Sequence, residues 1–546
     1  MSTSSSPSLP GIKEESASKR IKLDDDGDGD GNGDGNGDGN GDPAQEEKKE
    51  ETTSSSSTPS SSSATTTATT TTSSSESLMN LPKPVSAPFS STSSTNTTNT
   101  TATASTAIPP TPRPSPVLNR CVIMFSSSYV RSLTFLGNRL GDGSRTDPTP
   151  NRLTIHGDRD ILLSSLLTEY LLPPLQKMGL IVPVSPKMCS INHMLKFHTL
   201  PYLNILRNGP SSPSDLETYN LIDDCALPTT SEGRSHLFRY LQSVVGASLH
   251  AVAMLQPYSS NVKRTTCAVN WGGGRHHAKA NMAGGFCYVN DAVLALQGMR
   301  QKFGKTIYVD IDIHHCDGVE DAFLHDSKVV TVSFHKYDLG FFPGTGPPTG
   351  KKGVVNVPLP GGVTDDMFKS VFEDGLEKII HANCEHSQPF KAFVLAVGAD
   401  GLYGDPIVGK DGWSLTTRGL ADSVRFVSLL CKRLHLPLLI LGGGGYSDVN
   451  AARTFGVCTV AACEAGREGV LSRLPDRIPD HEFFPRYGPT FSIHTEETTK
   501  GDYGSEVGRR GRKVWAGVED AKAVIEIAVQ SVKGGNQGGF SYNDDD

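Results

Sequence analysis

The 546-residue chain carries 51 Lys and Arg against 59 Asp and Glu, a net charge of −8, which excludes a strongly basic nucleic-acid-binding surface as its organising feature. Its 10 cysteines form no C-x-x-C pair, so neither a zinc ribbon nor a disulfide framework is indicated, and they read as small buried apolar groups. No apolar signal-peptide core opens the chain and no run of ~18 apolar residues occurs, so the reading is soluble and intracellular, with room for one large α/β domain or two smaller ones.

Residues 1–117 are Ser, Thr, Gly, Asp and Asn with hardly an aromatic. Such a segment cannot bury enough apolar surface to offset the cost of ordering, and it reads as a disordered low-complexity tail. Its GDGNGDGNGDGNGD repeat lacks the closing Glu and flanking helices of a calcium loop and reads as a solvated acidic spacer. Lys19, Arg20 and Lys22 in SKRIKLD resemble a short nuclear import signal. Thr111-Pro112 and Ser115-Pro116 are either sites for proline-directed kinases or linker punctuation.

Order begins near Leu118, where RCVIMFS opens a sheet. Gly137 to Asp160 reads as a surface loop, and Ile161 to Leu172 as a buried helix closed by Pro173-Pro174. Thereafter the strand-like runs TTCAVNW, TIYVDIDI, KVVTVSF, AFVLAVGAD and LPLLILGGGG alternate with helices predicted at 291–303, 367–382 and 415–434. That alternation predicts a parallel sheet covered by helices on both faces, with ligands at the carboxyl ends of the strands. The domain is expected to span 118–500, and 501–546 to be a C-terminal extension. In it, Arg509, Arg510, Arg512 and Lys513 read as a solvated basic stretch or a second import signal, and the apolar spacing from Val518 to Val532 predicts a terminal helix, packed on the domain in preference to binding a partner.

Five segments carry chemistry. In YVDIDIHHCDGVEDAF, Asp310, Asp312 and His314 fall on alternate positions, so in a strand they share one face. Two carboxylates and an imidazole there suit a divalent cation such as Zn²⁺ or Fe²⁺, or else mark a polar-faced edge strand. WGGGRHHAKANMAGGFCYVNDA presents His276 and His277 after a glycine run, as surface residues or as part of a site. HKYDLGFFPGTG fixes Phe341 and Phe342 in a Gly/Pro turn, as a satellite core or a channel wall. VLAVGADGLYGDP ends a strand on Asp400, a helix N-cap or a ligand. LLILGGGGYS sets Tyr446 after four glycines, which either make a tight turn or hold a phenol over a cleft.

Together these segments, with the late string RIPDHEFFPRYGP, resemble the zinc-dependent histone deacetylase family, class I most closely, over roughly residues 119–490. The resemblance implies a single arginase/deacetylase-type α/β domain with a mostly parallel central sheet, hydrolysing acetyl-lysine on histone tails or other proteins. It implies Zn²⁺, with Fe²⁺ as the alternative, on Asp312, His314 and Asp400. It also implies tandem histidines His276 and His277 backed by Asp310 and Asp317, with His277 as the main proton shuttle. Tyr446 becomes the oxyanion donor, Phe286 and Phe342 with Gly285 line the acyl-lysine tunnel, and Asp224 is the rim carboxylate. A potassium ion is implied at Asp310, Asp312, His314 and Ser333. Nuclear location, with the cytoplasm as alternative, transcriptional repression and chromatin-complex partners follow from the same family; direct nucleic-acid or membrane binding does not.

Departures from the family pattern are informative. Cys316 stands where glycine is usual, so a special backbone angle there would strain it. Pro406 and Val449 stand where corepressor-bound class I enzymes carry basic inositol-phosphate contacts, so dependence on such a bridge is not expected. Ile407 matches the acidic gatekeeper of polyamine deacylases and is apolar, which favours a peptide substrate. A catalytically silent scaffold would not need the full set of ligands, histidines and phenol present here. An arginase-like ureohydrolase would need a carboxylate-rich two-metal cluster that the sequence lacks.

Overall fold

Apolar runs spaced along the chain become the strands of one all-parallel sheet, β1 (Asn119–Met124), β2 (Ile181–Val184), β3 (Arg264–Asn270), β4 (Thr306–Asp310), β5 (Val329–Lys336), β6 (Val354–Leu359), β7 (Ala392–Ala396) and β8 (Leu438–Leu441). Their order across the sheet is β2-β1-β3-β8-β7-β4-β5-β6. The computed structural model describes residues 119–133, 158–259, 262–349, 351–386, 388–409, 412–495, 521–526 and 529. The tail with its basic cluster and Thr-Pro and Ser-Pro sites, most of the expected 137–160 loop, and the arginines at 509–512 lie outside these residues.

Strand side chains alternate between two layers, so both faces must be apolar. Ile307 and Val309 of β4 pack into one layer and Tyr308 into the other. The first layer receives α1 (Arg159–Leu166), α6 (Asp365–His386), α7 (Thr417–Leu434) and α8 (Asp448–Ala461); the second receives α3 (Ser231–Met254), α4 (Asp291–Phe303) and α5 (Asp317–Phe323), with α2 (Leu172–Lys177) beside α1. Caps set the starts: Thr230 accepts from Gly233 N, Asn290 from Val293 N, and Thr416 from Arg418 and Gly419 N. The nine described cysteines are all free and buried, as read from their isolation.

Several expectations are corrected. Pro173-Pro174 does not close the first helix. A π-helical turn, Leu167–Leu171, shifts the hydrogen-bond register so that the two prolines fall in the first turn of α2, where no N–H is required. Arg159 and Asp160 do not belong to a surface loop; they start α1 and are buried. The helix predicted from Leu415 begins at Thr417, because Thr416 caps it. Cys316 has φ −79°, an ordinary angle, so the conditional strain does not arise. Residues 521–526 are helical, with Ala521, Val524 and Ile525 buried, and Glu526 pairs with Lys378 of α6 at 2.6 Å.

Candidate active site

Four strands adjacent in the sheet, β3, β8, β7 and β4, each end at a segment that carries chemistry. After β3 come His276 and His277, after β4 Asp312 and His314, after β7 Asp400, and after β8 the glycine run and Tyr446. The structure corrects the reason for the D-x-D-x-H spacing. β4 stops at Asp310, and Asp312 and His314 lie in the bends beyond it. They converge through backbone hydrogen bonds: Asp312 N donates to Asp310 Oδ1 at 3.0 Å, and His314 N to Asp312 Oδ1 at 3.0 Å.

Asp312, His314 and Asp400 each offer one ligand atom, all within 4.8 Å of one another and all buried. His314 Nδ1 lies 3.1 Å from Asp312 Oδ1 and 3.0 Å from Asp400 Oδ2. The glycines around them leave the carboxylates their space. A Cβ on Gly398 would stand 2.2 Å from Asp312 Oδ2, and one on Gly444 2.0 Å from Asp400 Oδ2. Burial and the Asp312 charge push Asp400 up to about 7. Burial would lower His314, but the two carboxylates outweigh it and hold it at about 10. Two buried carboxylates around one nitrogen ligand form a group that could hold a cation, and oxygen-nitrogen-oxygen donors suit Zn²⁺ or Fe²⁺.

The histidines sit beside this group with their rings 4.0 Å apart. His276 Nδ1 is 2.8 Å from Asp310 Oδ2, which also accepts from the Tyr308 hydroxyl at 2.5 Å. His277 Nδ1 is 2.7 Å from Asp317 Oδ1, whose other oxygen pairs with Lys279 at 2.7 Å. Burial lowers both imidazoles. For His276 the charges of Asp310 and Asp312 reverse this and hold it at about 9, whereas His277, facing His276 as well, is lowered to about 3. Burial and the Asp400 and Asp312 carboxylates push the Tyr446 phenol well above its usual value, so it stays a neutral donor.

Phe286 has φ +62°, a left-handed conformation that costs a bulky side chain on the order of 1–3 kcal/mol and here aims its ring edge-on to Tyr446 at 5.7 Å. Phe342, 46% exposed, meets His277 edge-on at 4.9 Å. Gly285 fits between them because a Cβ there would lie 2.3 Å from His277 Cδ2 and 2.9 Å from Phe342 Cε1.

Residues 158–462 match the model of the histone deacetylase domain, a span of more than half the chain. It belongs to the histone deacetylase family. Over 362 residues it is 39% identical to histone deacetylase 8 of Xenopus laevis, across 64% of this chain and 97% of that protein. It is 38% identical over 331 residues to histone deacetylase 8 of Danio rerio (58% and 79% of the two chains) and 37% identical over 320 residues to histone deacetylase 1 of Homo sapiens (57% and 60%). The protein is a lysine deacetylase, of a metal-dependent family whose substrates are acetylated proteins.

Not every residue assigned from sequence joins the cluster. Asp224 is half-buried on a turn, and its neighbour Cys225 faces the backbone of Gly284 and Phe286. Ser333 is the β5 partner of Asp310, with its hydroxyl 2.9 Å from His335 Nδ1. Pro406 and Ile407 are exposed and Val449 is half-buried.

Residues that carry no recognisable motif hold this deacetylase's histidine loop by its backbone. Asp291 accepts from Gly274 N at 3.1 Å and Arg275 N at 2.8 Å, and Asn290 Nδ2 donates to the carbonyls of His276 and Ala278. The signal available was an Asn-Asp pair opening a helix just after the histidines. Phe341, left open as satellite core or wall, stacks on His314 at 5.2 Å, with the Lys336 ammonium 4.0 Å from its centroid.

His198 supports the same loop by accepting from Asn290 N at 3.0 Å, and burial lowers it from 6.5 to about 4. Below pH 6.5 the unfolded chain takes up a proton that the folded one refuses. Stability therefore falls as pH drops from 6.5 towards 4, by up to about 3 kcal/mol from this residue. Melting temperatures across that window are expected to drop more steeply for the wild type than for His198→Gln. Parallel profiles would remove His198 from the balance.

Proposed function

We propose that this deacetylase removes the acetyl group from lysines of histone tails, and of other acetylated proteins, releasing acetate. The observation that carries the reading is the convergence of Asp312, His314 and Asp400 beside two carboxylate-backed histidines and a phenol. On this reading Asp312, His314 and Asp400 hold Zn²⁺, with Fe²⁺ as the alternative. When bound, the cation polarises the acetyl carbonyl and acidifies the attacking water.

The remaining work falls to the chain's own side chains. Asp317 fixes the Nδ1 side of His277, leaving Nε2 to take the water proton and later return it to the lysine amine. His276, tied to Asp310, acts chiefly through its charge. The Tyr446 hydroxyl donates to the tetrahedral oxyanion. Phe286, Phe342 and Gly285 sheath the lysine methylenes and keep water out. Asp224 holds the substrate backbone at the rim. The neighbouring registers of Asp310 and Ser333 support a potassium ion held by Asp310, Asp312, His314 and Ser333. Nuclear location, transcriptional repression and association with chromatin complexes complete the proposal, as for a class I enzyme.

The test is an acetyl-lysine peptide assay on the purified full-length protein beside Tyr446→Phe, each with and without a hydroxamate chelator. Wild-type turnover silenced by the chelator, and a kcat at least ~10²-fold lower in Tyr446→Phe, is the expected result. Full activity in Tyr446→Phe, or indifference to the chelator, contradicts the assignment.

A further inference from the structure

Asp405 is 2% exposed and belongs to neither the metal-ligand group nor the histidine pairs. Its Oδ2 accepts from the Tyr446 backbone N–H at 2.8 Å and its Oδ1 from the Ile407 N–H at 3.1 Å. The surrounding loop closes on Asp405 itself: its N–H donates to the Leu402 carbonyl at 3.2 Å, and its carbonyl accepts from Gly409 N at 2.9 Å. The carboxylate is thus fixed by its own loop, independently of the turn it contacts.

That turn needs fixing from outside. Its carbonyls, on Gly443, Gly444 and Gly445, accept from the buried Arg159 guanidinium at 3.2–3.4 Å, and Gly444 N donates to Asp312 Oδ2 at 2.6 Å. Gly445, at φ +124°, has no side chain to restrain this backbone, so the Gly445–Tyr446 peptide depends on the partners of its own polar groups. Arg159 holds the carbonyl side of that peptide, at the Gly445 oxygen, at 3.2 Å. Asp405 holds its N–H side, and the two together set the plane from which the Tyr446 side chain departs.

We propose that Asp405 is a positioning residue for the deacetylation step: by gripping the Tyr446 backbone N–H it sets the phenol where it can donate to the oxyanion. This rests on the reading of Tyr446 as oxyanion donor. A misplacement of about 1 Å in such a donor is enough to cost up to ~10²-fold in rate. Asp405→Asn keeps the size of the side chain but presents an NH₂ where the carboxylate accepts from backbone N–H groups, so one grip is lost.

The experiment compares four full-length, metal-loaded proteins on an acetyl-lysine peptide: wild type, Asp405→Asn, Tyr446→Phe and the double variant. Asp405→Asn is expected to lower kcat ~10–100-fold with KM within ~3-fold and metal content unchanged. On the Tyr446→Phe background the same change is expected to cost no more than ~2-fold, because the phenol it positions is gone. Asp405→Ser, whose hydroxyl can accept one bond, repeats the cycle if the Asn protein does not fold. An equal fold-loss on both backgrounds, or a fall in metal content, overturns the role of Asp405. A fully active Tyr446→Phe would instead overturn the assignment of Tyr446, so the two failures are distinguishable.

Discussion

Asp400→Asn is expected to lose its metal while its fold persists. Asp400 is fully buried, and its carboxylate faces that of Asp312 across the His314 nitrogen. With a cation present, removing one member of such a buried charge group leaves the others poorly compensated and costs ~3–5 kcal/mol, or roughly 10²–10⁴-fold in metal affinity. Deacetylation at limiting metal should fall by at least that factor. Without the cation the sign reverses, because the substitution removes one of two buried like charges, so the metal-free variant should melt at or above the metal-free wild type. Isothermal titration with Zn²⁺ and thermal melts of the stripped proteins read the two halves separately. Wild-type affinity in the variant would contradict the assignment of Asp400.

Gly274→Ala is expected to damage the fold itself. Gly274 lies at φ +87°, and a Cβ there would stand 1.8 Å from the Gly442 carbonyl oxygen, a backbone atom that cannot swing aside. The contact joins the segments leaving β3 and β8, which carry the histidines and Tyr446. Left-handed strain and steric overlap together cost about 2–6 kcal/mol, a large part of the ~5–15 kcal/mol by which domains are stable. Gly362 is the control: it has φ +75° with nothing within 4 Å of the added methyl, so Gly362→Ala should lose only about 1 kcal/mol. Urea unfolding should show a much lower midpoint for Gly274→Ala. Equal losses in the two variants would mean that the close approach carries no weight.

The central strands were legible because burial on both faces demands unbroken apolar runs. β2 and β6 were not singled out, and both form edges of the sheet that contain a proline, Pro183 and Pro358. An edge tolerates the missing donor, but the interruption hides the strand from a pattern reading. Asp310, Asp312 and His314 were legible as a group because carboxylates and an imidazole are out of keeping with apolar neighbours. Strand alternation predicts their convergence, but backbone hydrogen bonds beyond the strand end make it. Asp291 and Asp405 escaped notice because their partners are backbone N–H groups distant in sequence.

The most direct test is anomalous diffraction, at the absorption edge of the bound metal, from crystals of protein purified without chelators. A single peak about 2.0–2.2 Å from one oxygen each of Asp312 and Asp400 and from His314 Nδ1 is the predicted result. A metal bound by other side chains, with these three left unligated, would contradict it.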